Sequence, residues 1–373
     1  VIIVMKADIP QDSPELARVI ALAESYPGIT TRLHRIEGAT RSVTEVYVLG
    51  ATGVVPAAPF EEFESVEKVV RVTQSFRAIG RHDAGLEDVG FEYNGVRLSQ
   101  DSFHVFAGVC AVDERANLEA TFRALQELGI VTTRAGAYKP RTSPYDFQGL
   151  GASCLPWVFE LAGRHGIRIV AMEVTHESQI GEILRALETC GQATGVMLQI
   201  GTRNAQNFEL LKAVGQQTEL PVLFKRGMGI TLEESLNACE YVASGGNRRI
   251  VFCLRGMKTN FGDPHRNLVD FAHVPVVKRL TRLPVGIDPS HSVGRRTVGS
   301  DGILDISHVT AQGVIAGANM VLVDVHPRPD TARCDGPQAL LLEELPAFLD
   351  DVAVVRRAYV ERQRLVSDRR VPT

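Results

Sequence analysis

"GVMLQIGTRNAQNFELLKAVGQQTELPVLFKRG", residues 195–227, holds an apolar run, a stretch with helical spacing and a second apolar run ending in two cations. Glycine and proline bracket the outer runs, as expected of short buried strands. The middle, "NAQNFELLKAV" (204–214), is amphipathic at a helical period. The stretch therefore reads strand, helix, strand. The same alternation continues in both directions. Toward the N-terminus lie "FHVFAG" (103–108), "GIVTTRAG" (129–136) and "RIVAMEV" (168–174); toward the C-terminus lie "RIVFCLRG" (249–256), "LPVGIDPS" (283–290) and "NMVLVDVHP" (319–327). Amphipathic segments such as "NLEATFRALQEL" (117–128), "ESQIGEILRALETC" (177–190) and "TLEESLNACEYVAS" (231–244) separate them. Eight strand–helix units in roughly 270 residues is the count and size of a (β/α)8 TIM barrel. A doubly wound open sheet is the other α/β arrangement, but no Gly-rich dinucleotide turn is present.

Before the barrel, residues 1–74 follow a different order. "VIIVMK" (1–6), "TTRLHRIEG" (30–38), "SVTEVYVLG" (42–50) and "VEKVVRVTQ" (66–74) read as strands. "SPELARVIALAESY" (13–26) reads as a helix with Ser13 as N-cap. The resulting βαββαβ order predicts a small ferredoxin-like α+β domain. Residues 75–98 form a polar connector ending in "FEYNGVRLS" (91–99), where Asn94-Gly95 marks a β-hairpin. The expected organisation is thus an accessory domain over 1–74, a connector and hairpin over 75–98, and a catalytic barrel over 99–373.

A chain of 373 residues with 45% hydrophobic and 23% charged residues has the make-up of a soluble enzyme. A formal net charge of −4 gives no basis for nucleic acid or anionic membrane as a partner. No apolar run approaches the roughly 18 residues that span a bilayer. The six cysteines, Cys110, Cys154, Cys190, Cys239, Cys253 and Cys334, contain no CxxC pair. That usage points to a reduced, cytoplasmic protein rather than a disulfide scaffold.

A TIM barrel carries its chemistry at the carboxyl ends of its strands. Those ends offer Cys110; Arg134, Lys139 and Arg141; Glu173; Gln199 and Arg203; Lys225 and Arg226; Arg255; Asp288 and His291; and Asp324, His326 and Asp335. One arginine after a strand is an ordinary loop residue. Seven cations at one mouth repel one another and call for an anionic ligand, whose phosphate or carboxylate oxygens suit arginine forks. Cys110, His291, Asp324 and Asp335 form a second group, with the donor types of a divalent first-row metal site. They come from strands one, seven and eight, which are neighbours in a closed barrel. The plainer reading has Cys110 in the core and His291 as a loop hydrogen-bond donor.

Five motifs then carry a resemblance: "AGAYKPRTSPYDFQGLG" (135–151), "QIGTRNAQNFELL" (199–211), "VLFKRGMG" (222–229), "DPSHSVGRR" (288–296) and "LVDVHPRPDTARCDGPQAL" (322–340). They resemble the type I β-branch of 3-deoxy-D-arabino-heptulosonate 7-phosphate (DAHP) synthases, whose N-terminal domain is ferredoxin-like. The resemblance implies condensation of phosphoenolpyruvate with erythrose 4-phosphate, the first step of the shikimate pathway. It implies a phosphoenolpyruvate clamp of Arg203, Lys225 and Arg255, helped by Arg134 and Lys139. Arg141 and Thr142, with Ser143, would cradle the aldose phosphate, and Asp288 would hold a sugar hydroxyl. Lys139 and Glu173 would serve as acid and water-positioning group. Cys110, His291, Asp324 and Asp335 would bind the metal, Mn²⁺ first, with Fe²⁺, Co²⁺ or Zn²⁺ as alternatives. An aromatic amino-acid effector and a homo-oligomer, tetramer or dimer, are also implied. Pro140 and Pro144 would stiffen the loop so that Lys139 and Arg141 stand ready for two different anions.

Three departures from the family pattern matter. "AGVCAVD" (107–113) stands where GPCS-E is usual; Asp324 replaces a glutamate, one methylene longer; and Leu254 precedes the retained Arg255. They cluster on the metal and aldehyde side. A second reading follows, a specialised homologue that keeps phosphoenolpyruvate but takes another phosphorylated aldehyde or imino sugar. A third is a regulatory barrel partner without activity, which the retained cations argue against. Cys334, beside Asp335, is either an inert thiol or one able to pair with Cys110 on oxidation.

Overall fold

The structure, a computed structural model, describes residues 1–37, 42–71, 75–82 and 90–367. The ends of two strand-like runs (38 and 72–74), part of the connector (83–89) and the tail (368–373) lie outside the described residues. The chain divides between Leu86 and Glu87 into two compact units.

In the first unit, β1 (Ile2–Met5), α1 (Pro14–Glu24), β2 (Thr30–Glu37), β3 (Ser42–Leu49), α2 (Ala58–Glu61) and β4 (Val66–Val70) follow one another. The sheet has the order β2-β3-β1-β4, with β1 antiparallel to β3 and β4. That is the split βαβ arrangement of a ferredoxin-like fold. Alternation along β1 sends Ile3 and Met5 into a core with Leu16 and Val19 of α1, and Ile2 and Val4 to the opposite face with Tyr47 and Val70. Ser13 caps α1 as expected, its Oγ accepting from the Leu16 amide at 3.1 Å. The second helix is a single four-residue turn.

The second unit begins with a hairpin, β5 (Phe91–Tyr93) and β6 (Val96–Leu98), whose turn residues Asn94 and Gly95 both have positive φ. Eight units follow: β7 (His104–Gly108), α3 (Arg115–Glu127), β8 (Thr132–Arg134), α4 (Leu155–Arg164), β9 (Ile169–Val174), α5 (Ser178–Thr189), β10 (Gly195–Ile200), α6 (Phe208–Gln216), β11 (Val222–Lys225), α7 (Leu232–Gly245), β12 (Ile250–Leu254), α8 (Val274–Leu280), β13 (Val285–Ile287), the short α9 (Pro289–Val293), α10 (Asp305–Ile315), β14 (Met320–Asp324) and α11 (Leu345–Ser367). All eight strands are parallel, and β14 returns to pair with β7 from Met320–His104 to Asp324–Gly108. The last seam, β7 with β8, is held by a bridge between Val109 and Ala135. The hydroxyls of Thr132 and Thr133 add to it, donating to the carbonyls of Val105 (2.8 Å) and Ala107 (2.6 Å). A Cβ on Gly108 would lie 2.1 Å from the Arg134 carbonyl oxygen, so this approach needs glycine. The result is a nearly closed TIM barrel, not an open sheet.

The barrel interior is one apolar cluster that includes Phe106, Ala171, Met197, Leu223, Cys253 and Leu322, and the hairpin residues Phe91, Val96 and Leu98 pack into it. Two residues further along the strands, the same face becomes polar: Glu173, Gln199, Lys225, Arg255 and Asp324. The period of two in a β-strand therefore delivers these side chains to the carboxyl-end mouth. No helix among the described residues is long and apolar enough to cross a membrane.

Candidate active site

At the mouth lies a cavity of about 190 Å³ lined by Arg134, Lys139, Arg141, Arg203, Lys225, Arg255 and Arg266, against the carboxylates of Asp146, Glu173 and Asp335. Seven cations do converge, but they are not the seven expected from the strand ends. Arg226 follows Lys225 by one residue, so the alternation turns it to the other side of the strand. There its Nη1 meets Asp270 Oδ2 at 2.8 Å and His273 Nδ1 at 2.9 Å, and it is wholly buried. Its place among the seven is taken by Arg266, from the loop after β12. That loop carries no motif, and sequence reasoning passed over it.

Lys225 forms a buried ion pair with Asp288. Asp288 also caps α9, its Oδ1 accepting from the His291 amide and facing the imidazole Nδ1, each at 3.1 Å. Burial disfavours its charge, yet His291, Lys225 and Arg134 together hold the carboxyl well below the usual carboxylate range. Asp288 does not line the cavity and is fully buried. In this structure it orients Lys225 and His291.

Lys139 donates to Cys110 Sγ at 3.2 Å and stands 3.6 Å from Glu173 Oε2, which also accepts from Gln199 at 3.3 Å. Burial alone would lower the lysine's pKa, but Cys110 and Glu173 outweigh it, and the ammonium is held above its ordinary value. A Cβ on Gly201 would come within 1.8 Å of Glu173 Oε1, so glycine leaves the room this carboxylate occupies. Arg255 is different. It is 3% exposed, and its Nε and Nη1 have no acceptor among the described residues. Burial pushes its pKa down; Asp288 and Asp270 pull the other way, but with Arg266 and Arg203 also opposing its charge the net shift is downward. A buried cation with no direct ion-pair partner among the described residues, facing a cavity, is a site for an anion.

In the loop after β8, Arg141 Nη2 lies 3.3 Å from Asp146 and its Nη1 donates to Cys334 Sγ at 2.8 Å. Thr142 lines the cavity and Ser143 does not. The Ser143 Oγ accepts from the Tyr145 amide at 3.2 Å, shaping the turn.

Cys110, His291 and Asp335 meet as the strand order foretold. Cys110 Sγ is 3.8 Å from His291 Nε2 and 3.1 Å from Asp335 Oδ2, and His291 Nε2 is 3.6 Å from that oxygen. Tetrahedral bonds of about 2.3 Å to sulfur and about 2.0–2.2 Å to nitrogen and oxygen require edges of about 3.4–3.6 Å. The three edges here, 3.8, 3.1 and 3.6 Å, lie within about 0.5 Å of that, so small side-chain shifts would let the donors hold a divalent ion. Asp335 adopts a left-handed backbone (φ 53°), and Arg266 fixes its Oδ1 at 3.2 Å. Two more groups stand near. Asp324 comes within 4.8 Å of Cys110 and His291, and Cys334 within 4.8 Å of Cys110 and Asp335. The neighbouring Cys334 thiol, with burial, raises the Cys110 pKa, and the Cys110 thiol in turn lowers that of Cys334. His326, by contrast, binds Asp113 at 3.0 Å away from the cavity.

The sequence profile of the DAHP synthetase I family matches residues 88–358. The chain belongs to this family. It is 36% identical over 347 residues to the phospho-2-dehydro-3-deoxyheptonate aldolase of Thermotoga maritima, covering 91% of this chain and 96% of that one. The crystal structure of the Thermotoga maritima DAHP synthase superposes with a TM-score of 0.68 at 34% identity, covering 96% and 97% of the two chains. More distant is the 2-dehydro-3-deoxyphosphooctonate aldolase of Desulfosudis oleivorans, 27% identical over 273 residues, or 69% of this chain and 92% of that one. DAHP synthases are metal-dependent, in keeping with the donor set at Cys110.

Proposed function

We propose that the chain condenses phosphoenolpyruvate with erythrose 4-phosphate and water, yielding DAHP and inorganic phosphate, the entry to the shikimate pathway. The observation that carries this is the unpaired, buried Arg255 beside Arg203 and Lys225, which together suit the phosphate and carboxylate of an enol phosphate. Arg141 and Thr142 face the same cavity from the opposite loop and suit a second phosphate. A pure scaffold gains nothing from holding such charges together.

Each residue then has a task. Arg203, Lys225 and Arg255 hold the enol so that its C3 faces the aldehyde carbon presented by the Arg141–Thr142 side. C3 attacks that carbon, and positive charge builds at C2. Lys139, held protonated, donates to the aldehyde oxygen as it becomes a hydroxyl. Glu173, fixed by Gln199 and Lys139, orients water toward C2 and takes its proton. The hemiketal phosphate then loses phosphate by C–O cleavage. A divalent ion (Mn²⁺, Fe²⁺, Co²⁺ or Zn²⁺) held by Cys110, His291 and Asp335 would supply Lewis acidity toward the aldehyde oxygen. The N-terminal unit, in this reading, senses an aromatic amino acid, and the chain forms a homo-oligomer. Rate inhibition by phenylalanine or tyrosine and the mass in solution test those two points.

Calorimetry with phosphoenolpyruvate tests the site itself. One enol per chain is expected to bind with measurable heat. No heat, with the protein folded, would remove the basis of the proposal.

A further inference from the structure

We propose that Cys334, rather than Asp324, completes the metal site, giving a Cys110–Cys334–His291–Asp335 set that favours thiophilic Zn²⁺, Fe²⁺ or Co²⁺ over Mn²⁺. The inference rests on the proposal that the barrel mouth holds a catalytic divalent ion, and adds which side chains hold it.

Asp324 is already committed. Its Oδ1 stands 2.5 Å from Arg134 Nη1, an ion pair by proximity without an aligned hydrogen bond, and its Oδ2 accepts from Gln338 at 2.6 Å. Arg134 is 2% exposed, so drawing Asp324 away would take the nearest counter-charge from a buried guanidinium. Asp324 also lies toward the wrong nitrogen: its Oδ2 is 3.8 Å from His291 Nδ1, which Asp288 occupies. The free nitrogen, Nε2, faces Cys110 and Asp335.

The two thiols behave as a pair. Cys110 and Cys334 both donate to Asp335 Oδ2, at 3.1 and 3.2 Å. An ion at that point replaces the two S–H protons, which leave to solvent as the two thiolates bind it. Both sulfurs also already accept from cations. Arg134 and Lys139 donate to Cys110 at 3.3 and 3.2 Å, and Arg141 donates to Cys334 at 2.8 Å. Such donors stabilise metal-bound thiolates from outside the coordination sphere. Among the described residues no such donor serves Cys154, Cys190 or Cys253, whose thiols give to the carbonyls of Gly151, Pro156 and Leu254. Two thiolates shift the site toward softer ions, and Mn²⁺ is both the hardest of the four ions named and the weakest binder in the first-row order.

The test is optical titration of the reduced, metal-free, full-length protein with Co²⁺, reading the sulfur-to-cobalt charge-transfer band per bound ion. The band is expected to fall to about half in Cys334→Ser and in Cys334→Ala, and to keep its full intensity in Asp324→Asn. Zn²⁺ is expected to displace the Co²⁺ and an equal amount of Mn²⁺ is not. Should a variant fold poorly, X-ray absorption of the Co²⁺-loaded wild type counts the sulfurs, with two expected. Unchanged intensity in both Cys334 variants, or one sulfur in the wild type, overturns the inference while phosphoenolpyruvate calorimetry still stands. Absence of any Co²⁺ binding overturns the catalytic-ion reading as well.

Discussion

Replacing Arg255 by methionine should separate binding from stability. The guanidinium is buried with Nε and Nη1 unanswered, so the free protein bears its cost and the ligand relieves it. Hydrogen bonds to charged groups contribute about 1.5–3 kcal/mol each. Losing two of them weakens phosphoenolpyruvate binding by about 3–6 kcal/mol, or about 10²–10⁴-fold. The free protein moves the other way. Removing buried donors without acceptors returns about 1–3 kcal/mol, less a small packing loss. At about 2–4 °C per kcal/mol for a domain of this size, Tm should stay level or rise by a few degrees. Lys225→Met, at the same mouth, provides the contrast. It leaves Asp288 buried with His291 but without its lysine, at a cost of up to about 3–5 kcal/mol, and Tm should fall clearly. Scanning calorimetry on both variants, with phosphoenolpyruvate titrations, reads the two effects. If Arg255→Met loses stability as Lys225→Met does, or keeps its enol affinity, the reasoning from unpaired charge is refuted.

Other outcomes follow from particular contacts. Gly201→Ala pushes a methyl into the space of the Glu173 carboxylate, so kcat should drop at least tenfold with phosphoenolpyruvate affinity changed less, measured by steady-state kinetics and calorimetry. Leu98→Ala empties the barrel floor, where Leu98 is 1% exposed, and should cost about 2–5 kcal/mol in denaturant unfolding without altering the pH–rate profile. Asp113 is buried, which alone would raise its pKa, but bonds from His326 and Asn117 hold it down at about 2. Its contribution of about 2 kcal/mol is present above about pH 4 and lost as pH falls through about 2. Acid unfolding of Asp113→Asn should show that dependence removed.

Much of this was legible in the sequence because it depends on period. The barrel strands alternate with amphipathic helices, and the apolar face of each strand extends directly to Glu173, Lys225, Arg255 or Asp324. The same rule, applied one residue further, would have removed Arg226 from the mouth. The inventory of strand ends counted both cations of "KRG" together. Arg266 was beyond reach because its loop has neither period nor motif; only the fold brings it to Asp335. The contacts that Asp288 and Ser143 make within the chain, a buried lysine for one and a turn for the other, are visible only in the fold. The shortened carboxylate at Asp324 was visible as a departure. Its consequence was not, because it depends on where Arg134 and Gln338 stand.

The most direct measurement follows the enol absorbance of phosphoenolpyruvate with the purified protein loaded in turn with Mn²⁺, Fe²⁺, Co²⁺ and Zn²⁺. With erythrose 4-phosphate present, the absorbance should decay with one phosphate released per enol consumed, and without it both should stay flat. Persistence of the enol with every ion and erythrose 4-phosphate together would contradict the account.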